Sequence, residues 1–260
     1  MSDNQAVSQE LLETIHELQQ LSSLSEFGLA GGTNLALRFG HRISIDIDLF
    51  SSFMIGINGL EDICEQVRNF YGERVLSSQL INDDLADQYC FARILIKTKT
   101  GQIKVEIMQN VPLLDEFEIG NGIRMVTVKD IGVFKLKSLC ARRAKKDGYD
   151  LDLITDHDGY SLEELLDKYH EKETSFSSEA DEWVFDLDEH PNPVTDPNAL
   201  LAFDEIDYRS ADNRPMHSDD QLNIVLPAKL YSVAKSSLRR KVKDYMRSKG
   251  LELPPLEPIN

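Results

Sequence analysis

The sequence is short of positive charge: 28 Lys and Arg stand against 45 Asp and Glu, a net charge of −17 at neutral pH. Such an acid excess excludes a general nucleic-acid coat, although it leaves room for a local basic groove. Cysteine is scarce and scattered. Cys64, Cys90 and Cys140 form no Cys-x-x-Cys pair and read as buried thiols in a reducing compartment. No apolar run is long enough to span a bilayer, so no membrane partner is expected. The start, Met-Ser-Asp-Asn-Gln, lacks the basic segment and apolar core of a signal peptide, and the expected location is cytoplasmic. Internal repeats and low-complexity tracts are also lacking. What remains is 260 residues with an ordinary 41% apolar content, enough for one large domain or about two ordinary ones.

The chemistry is concentrated in residues 27–50, which read as strand, glycine turn, short helix and second strand. The turn is Gly31-Gly32-Thr33 and the second strand carries Asp46 and Asp48. Residues two apart on a strand share a face, so the two aspartates point one way while Ile45, Ile47 and Leu49 point into the core. Paired carboxylates repel, and burial without a partner is costly. A divalent cation resolves that conflict, and hard oxygen ligands on a rigid strand suit Mg²⁺. The glycines let the backbone approach a ligand, Thr33 can cap the following helix, and the helix N-terminus attracts phosphate. Ser44 lies on the acid face. Arg42, more than His41, suits a phosphate, or else forms a structural pair with one of the aspartates.

This stretch resembles the AbiEii/AbiGii-type nucleotidyltransferases, a branch of the DNA polymerase β-like nucleotidyltransferase superfamily. The resemblance rests on Gly31-Gly32-Thr33, Leu35, Leu37 and Arg42-x-Ser44-x-Asp46-x-Asp48-Leu49. It implies an α+β nucleotidyltransferase fold, a mixed or antiparallel sheet flanked by helices, in residues 1–126. A mainly helical part, 127–260, would then complete the active site. Such transferases commonly carry a third carboxylate on a neighbouring strand. Glu106, in the alternating run Gln102 to Met108, is the candidate, as a metal ligand or as acceptor of the attacking hydroxyl's proton.

Amphipathic helices are expected from about Gln5 to Leu21 and from Leu60 to Phe70, with strands at Val75–Ile81 and Gln88–Lys97 and a hairpin turn at Thr98–Gly101. Thr127 reads as the cap of a helix over Lys129–Lys146. If that helix continues past Gly148, then Lys135, Arg142, Lys146 and Asp150 fall near one stripe. The run Lys135-Leu136-x-x-Leu139-x-x-Arg142, followed by Lys146-Asp147-x-x-Asp150, is similar to a second conserved stretch of the same family. That resemblance implies that Lys135 and Arg142 meet the nucleotide and that Asp147 and Asp150 belong to the active site. Lys137 fits the spacing less well. A further helix is expected at Leu151–Asp158, and a capping box at Ser161-Leu-Glu-Glu opens another to Lys172. The acidic stretch 179–220 should hold short helices and ordered loops. A basic helix, Pro227–Lys249, then either neutralises that stretch or lines a groove for an RNA backbone.

The resulting expectation is transfer of a nucleoside monophosphate from an NTP to an acceptor hydroxyl with two Mg²⁺ ions. Resemblance adds a toxin of a toxin–antitoxin locus, a tRNA 3′ end as acceptor, and a cognate antitoxin as partner. The alternatives are transfer to a small-molecule or protein hydroxyl, and a non-catalytic binding module of the same fold.

Overall fold

A computed structural model of the chain describes residues 5–156, 160–187, 189–203 and 221–254. Among them seven strands form one mixed sheet in the order β3-β4-β5-β2-β1-β7-β6. The strands are β1 (Gly28–Leu29), β2 (Ile47–Phe50), β3 (Val75–Ile81), β4 (Phe91–Lys97), β5 (Gln102–Met108), β6 (Glu118–Gly120) and β7 (Ile123–Met125). Near its centre β2 runs parallel to β5, in a register that sets Asp48 opposite Glu106. On the other flank of β5 the antiparallel strand β4 sets Arg93 opposite the same Glu106. Side chains opposite one another in a ladder share a face, so three charged residues form a row across three strands.

The helices are α1 (Gln9–Gln19), α2 (Gly31–Phe39), α3 (Gly56–Tyr71), α4 (Val128–Arg142), α5 (Lys145–Ile154), α6 (Leu162–Ser175) and α7 (Tyr231–Ser248). In α1, Leu11, Ile15 and Leu18 are buried at helical spacing and Ser8 accepts the Leu11 N–H at 3.1 Å. With Leu60, Ile63 and Val67 of α3 and the inner residues of β4 and β5 they form one core cluster. The second cluster joins Phe50, Phe91 and Met108 of the sheet to α4, α5, α6 and α7. This second core crosses the division at residues 126 and 127, so the helical part shares its apolar interior with the sheet. In α7, Ala234, Leu238, Val242 and Met246 make a buried stripe at every fourth residue.

Five expectations change here. The helix expected over 129–146 ends at Arg142, because Arg143 adopts a left-handed conformation with φ 56°. Its continuation is a separate helix, α5, which takes in residues 151–154 of the helix expected at 151–158; residues 157 and 158 lie outside the described residues. Asp46 precedes β2 instead of lying within it, and Ile45 is 54% exposed rather than in the core. Thr33 is not the cap of α2; that place belongs to Ala30, with no side-chain bond. Part of the basic charge in and before the last helix meets acids of the helical part. Lys229 and Lys241 pair with Asp152 and Asp156, and Lys249 with Glu163. Residues 204–220 of the acidic stretch and the proline-rich tail after residue 254 lie outside the described residues.

Candidate active site

The glycine turn sits against the end of β2. Gly31 has φ +65°, a conformation glycine adopts without cost, and a Cβ there would collide with Asp48 Oδ2. A Cβ on Gly32 would collide with the Arg42 guanidinium. The two glycines therefore let α2 begin directly against Asp48 on one side and Arg42 on the other. Thr33 is buried and turns its hydroxyl inward, donating to the main-chain oxygen of Asp46 and lying 2.8 Å from Ser44 Oγ. It fixes the approach to the aspartates; its hydroxyl does not face the pocket.

One pocket gathers most of these groups. Its lining includes Gly31, Gly32, Arg42, Ser44, Asp46, Asp48, Lys104, Glu106, Lys135, Arg142 and Lys146. On the sheet side, Glu106 accepts from Arg93 at 2.9 Å and from Lys104 at 3.0 Å, and Lys104 also lies 3.8 Å from Asp46. Burial, opposed by Lys104 and reinforced by Glu106 and Asp46, pushes the Asp48 carboxyl up to about 6.

On the helix side, Asp150 is fully buried and receives both arms of Arg42 at 2.7 Å each, Lys135 at 2.7 Å and His41 Nε2 at 2.9 Å. Asp147, equally buried, takes Lys135 at 2.7 Å and Arg142 at 2.6 and 2.9 Å. Burial works against the Asp150 charge, but Arg42 and Lys135 hold the carboxyl well below its ordinary value. Burial lowers the His41 pKa, and among the described residues its Nδ1 has no hydrogen-bond partner, while the ring stacks on Tyr149 at 5.7 Å.

The structure sets the two helix-borne aspartates, expected to belong to the active site, against the pocket's cations. Neither lines the pocket, and both aim cations into it. Arg42 lines the pocket, and its ion-pair partner is Asp150 of α5 where one of the strand aspartates was the expected alternative. Glu106, expected as a further metal ligand or proton acceptor, lines the pocket with its carboxylate held by Arg93 and Lys104. Among the described residues no group of three or more His, Cys, Asp or Glu side chains is arranged to hold a metal ion. The fit to a divalent cation rests on Asp46 and Asp48. Mg²⁺ characteristically takes one or two carboxylates and completes its shell with substrate phosphate and water. The crowded negative charge around Asp48 is what such an ion relieves.

A family model described as "Nucleotidyl transferase AbiEii toxin, Type IV TA system" matches residues 17–223. The chain belongs to the AbiEii nucleotidyltransferase toxin family. It is a nucleotidyltransferase, and the family carries with it an NTP substrate, typically a divalent metal, and a toxin–antitoxin setting. An uncharacterised protein of Aquifex aeolicus (strain VF5) is 29% identical over 168 residues, 61% of this chain and 72% of that one. Two solved structures share the fold. One is MenT4, a nucleotidyltransferase toxin of Mycobacterium tuberculosis H37Rv, with TM-score 0.54, 16% identity and coverage of 89% of this chain and 80% of that chain. The other, from H. pylori, has TM-score 0.50, 17% identity and coverage of 95% and 100%. Among the described residues no helix is long and apolar enough to cross a membrane.

Sequence reasoning missed Lys104 and Arg93, the two cations that hold Glu106. Lys104 had a usable signal, since it lies two residues from Glu106 on one strand and therefore on its face. Arg93 had none, because its contact depends on strand pairing. The aromatic wall of the pocket, Phe50, Phe134, Trp183 and Phe185, was also missed as part of the site.

Proposed function

We propose that this nucleotidyltransferase moves a nucleoside monophosphate from an NTP to the 3′ end of an RNA, with tRNA as the acceptor class, and acts as the toxin of a toxin–antitoxin pair. The observation that carries the reading is one pocket with opposite charge on its two sides: Asp46 and Asp48 on one, and Arg42, Lys135, Arg142 and Lys146 on the other. That is the arrangement a metal-bound triphosphate needs. Asp46 and Asp48 would hold Mg²⁺. Bound there, one or two such ions supply activation of the acceptor hydroxyl and charge relief for the leaving pyrophosphate.

The chain's own residues do the rest. Gly31 and Gly32 leave room for phosphate against the N-terminus of α2. Arg42, Lys135 and Arg142, locked by Asp150 and Asp147, keep their positions without reorganising, which is the condition for effective transition-state stabilisation. The acceptor oxygen bonds to the α-phosphorus, the bond to the bridging oxygen breaks, pyrophosphate departs toward the cations, and the hydroxyl proton passes to water. Glu106 acts through Asp48, adding negative charge beside it, while Arg93 and Lys104 keep Glu106 in place.

The test is incubation with each α-labelled NTP, Mg²⁺ and total tRNA. Label should enter tRNA with the parent enzyme and fail to do so with Asp48→Asn. Equal labelling by that variant, or label only in small molecules or protein, removes the reading.

A further inference from the structure

The charged part of the pocket accounts for phosphates and metal but leaves its other end without a use. That end is built of rings. Phe134 and Trp183 lie 5.4 Å apart, Trp183 and Phe185 4.6 Å, and Phe50 and Phe134 5.5 Å. All four line the same pocket as Asp48 and Lys135. Lys137 stands at this end as well, with its ammonium 5.7 Å from the Trp183 ring centroid and ion-paired with Asp186. Trp183 is buried, whereas Phe185, on the short turn Val184–Asp186, is only partly covered where it lines the pocket.

We infer that this aromatic end is the nucleobase subsite, with Phe185 as the stacking residue, Trp183 and Phe134 as its backing, and Lys137 as the donor that reads an acceptor atom on the base edge. The inference rests on the proposed binding of an NTP in this pocket and deepens it. A nucleotide is amphipathic in the same sense as the pocket, with phosphates at one end and a flat π-system at the other. Base–aromatic stacking is tolerant of base identity, because every base has a π-face. Selectivity then falls to Lys137, which can only donate. Bases that present an oxygen or a ring nitrogen to it are favoured over one that presents an amino group. A purely structural role for the rings is the competing account, since they also belong to the core under α4 and α6. A core ring, however, gains nothing from lining a pocket and has no reason to respond to a nucleotide.

The chain contains one tryptophan, so its intrinsic indole fluorescence reports on Trp183 alone. The experiment titrates the full-length protein with each NTP and, in parallel, with inorganic tripolyphosphate, in Mg²⁺ without acceptor RNA. Binding is followed both by calorimetry and by that fluorescence. The expected result is that NTPs bind and change the Trp183 emission, while tripolyphosphate binds without changing it. Phe185→Ala and Phe185→Leu should each weaken NTP binding about tenfold and leave tripolyphosphate binding unaltered, with Phe185→Tyr close to the parent. The leucine variant keeps apolar bulk but has no ring, which guards against a folding defect in the alanine one. NTP binding with unchanged emission and no effect of Phe185→Leu places the base elsewhere and overturns the subsite, leaving the phosphate reading intact. Failure of both NTP and tripolyphosphate to bind overturns both.

Discussion

On the sheet side of the pocket Asp46, Asp48 and Glu106 meet Lys104 and Arg93; on the helix side Asp147 and Asp150 meet Arg42, Lys135 and Arg142. The first group is left with one negative charge in excess and the second with one positive. The carboxyl pKa values follow: Asp48 is pushed up to about 6, and Asp150 is held well below its ordinary value. Equal chemistry, an aspartate near lysine and arginine, therefore serves two purposes. Asp150 is satisfied from three sides and works as a clamp. Asp48 is crowded by its own kind, which under the proposed function suits it to receive a cation. An enzyme that joins a cation to a triphosphate needs both, facing each other across one opening.

The largest effect should come from breaking the clamp. Asp150→Ala strands Arg42 and His41 in a buried space and leaves Lys135 with Asp147 alone, and removing one partner of a buried ionic group typically costs about 3–5 kcal/mol. Denaturant unfolding should show that loss together with loss of activity; a variant within about 1 kcal/mol of the parent would break the comparison. The same clamp has a pH signature. The folded pKa of Asp150 is depressed, so its contribution is complete above the ordinary carboxylate range and is lost as pH falls through the depressed value. The stability gap between the parent and Asp150→Asn should accordingly be constant near neutrality and narrow below about pH 4.

Next in size is the receptor side. Asp48→Asn should lower nucleotide transfer roughly 10²–10³-fold, the scale of losing one preorganised electrostatic contact. Its melting temperature should equal or exceed that of the parent, because a carboxylate crowded by Glu106 and Asp46 has been neutralised. A fall in stability like that of Asp150→Ala would erase the distinction between the two sides. A smaller effect is expected at the seam between them. Gly32→Ala forces the Arg42 guanidinium away, an overpacking strain of about 1–3 kcal/mol, and should raise the Kd for NTP more than it changes the fold. The smallest sharpens the charge argument. Lys104→Gln leaves the acids less neutralised, so the divalent cation concentration for half-maximal activity should fall about fivefold, near 1 kcal/mol at partly screened distances. An unchanged or higher requirement would mean that Lys104 does not compete with the metal.

Much of this was legible in the chain. Gly31, Gly32 and Asp48 can be read because a tight turn and a two-residue strand period are local rules, and Asp46 reaches the same pocket although it lies before β2. Lys135, Arg142, Asp147 and Asp150 could be selected from spacing and resemblance, but the continuous helix that seemed to align them does not exist. Arg143 breaks it, and the second helix returns Asp147 and Asp150 beneath Lys135. A left-handed arginine is invisible to helical periodicity, because the residue itself is an ordinary helix former.

The sequence by itself determined the class of the molecule and the chemical inventory of its candidate site: small residues at a close approach, a pair of acids, a lysine and arginines. Each of these follows from residue type and near-neighbour spacing. Only the tertiary structure decided which acids stay available. Arg42 reaches Asp150 across 108 residues, and Arg93 reaches Glu106 through strand register. Partners so distant are chosen by packing, and in a low-dielectric interior the choice of partner is what sets a carboxylate's charge and its task.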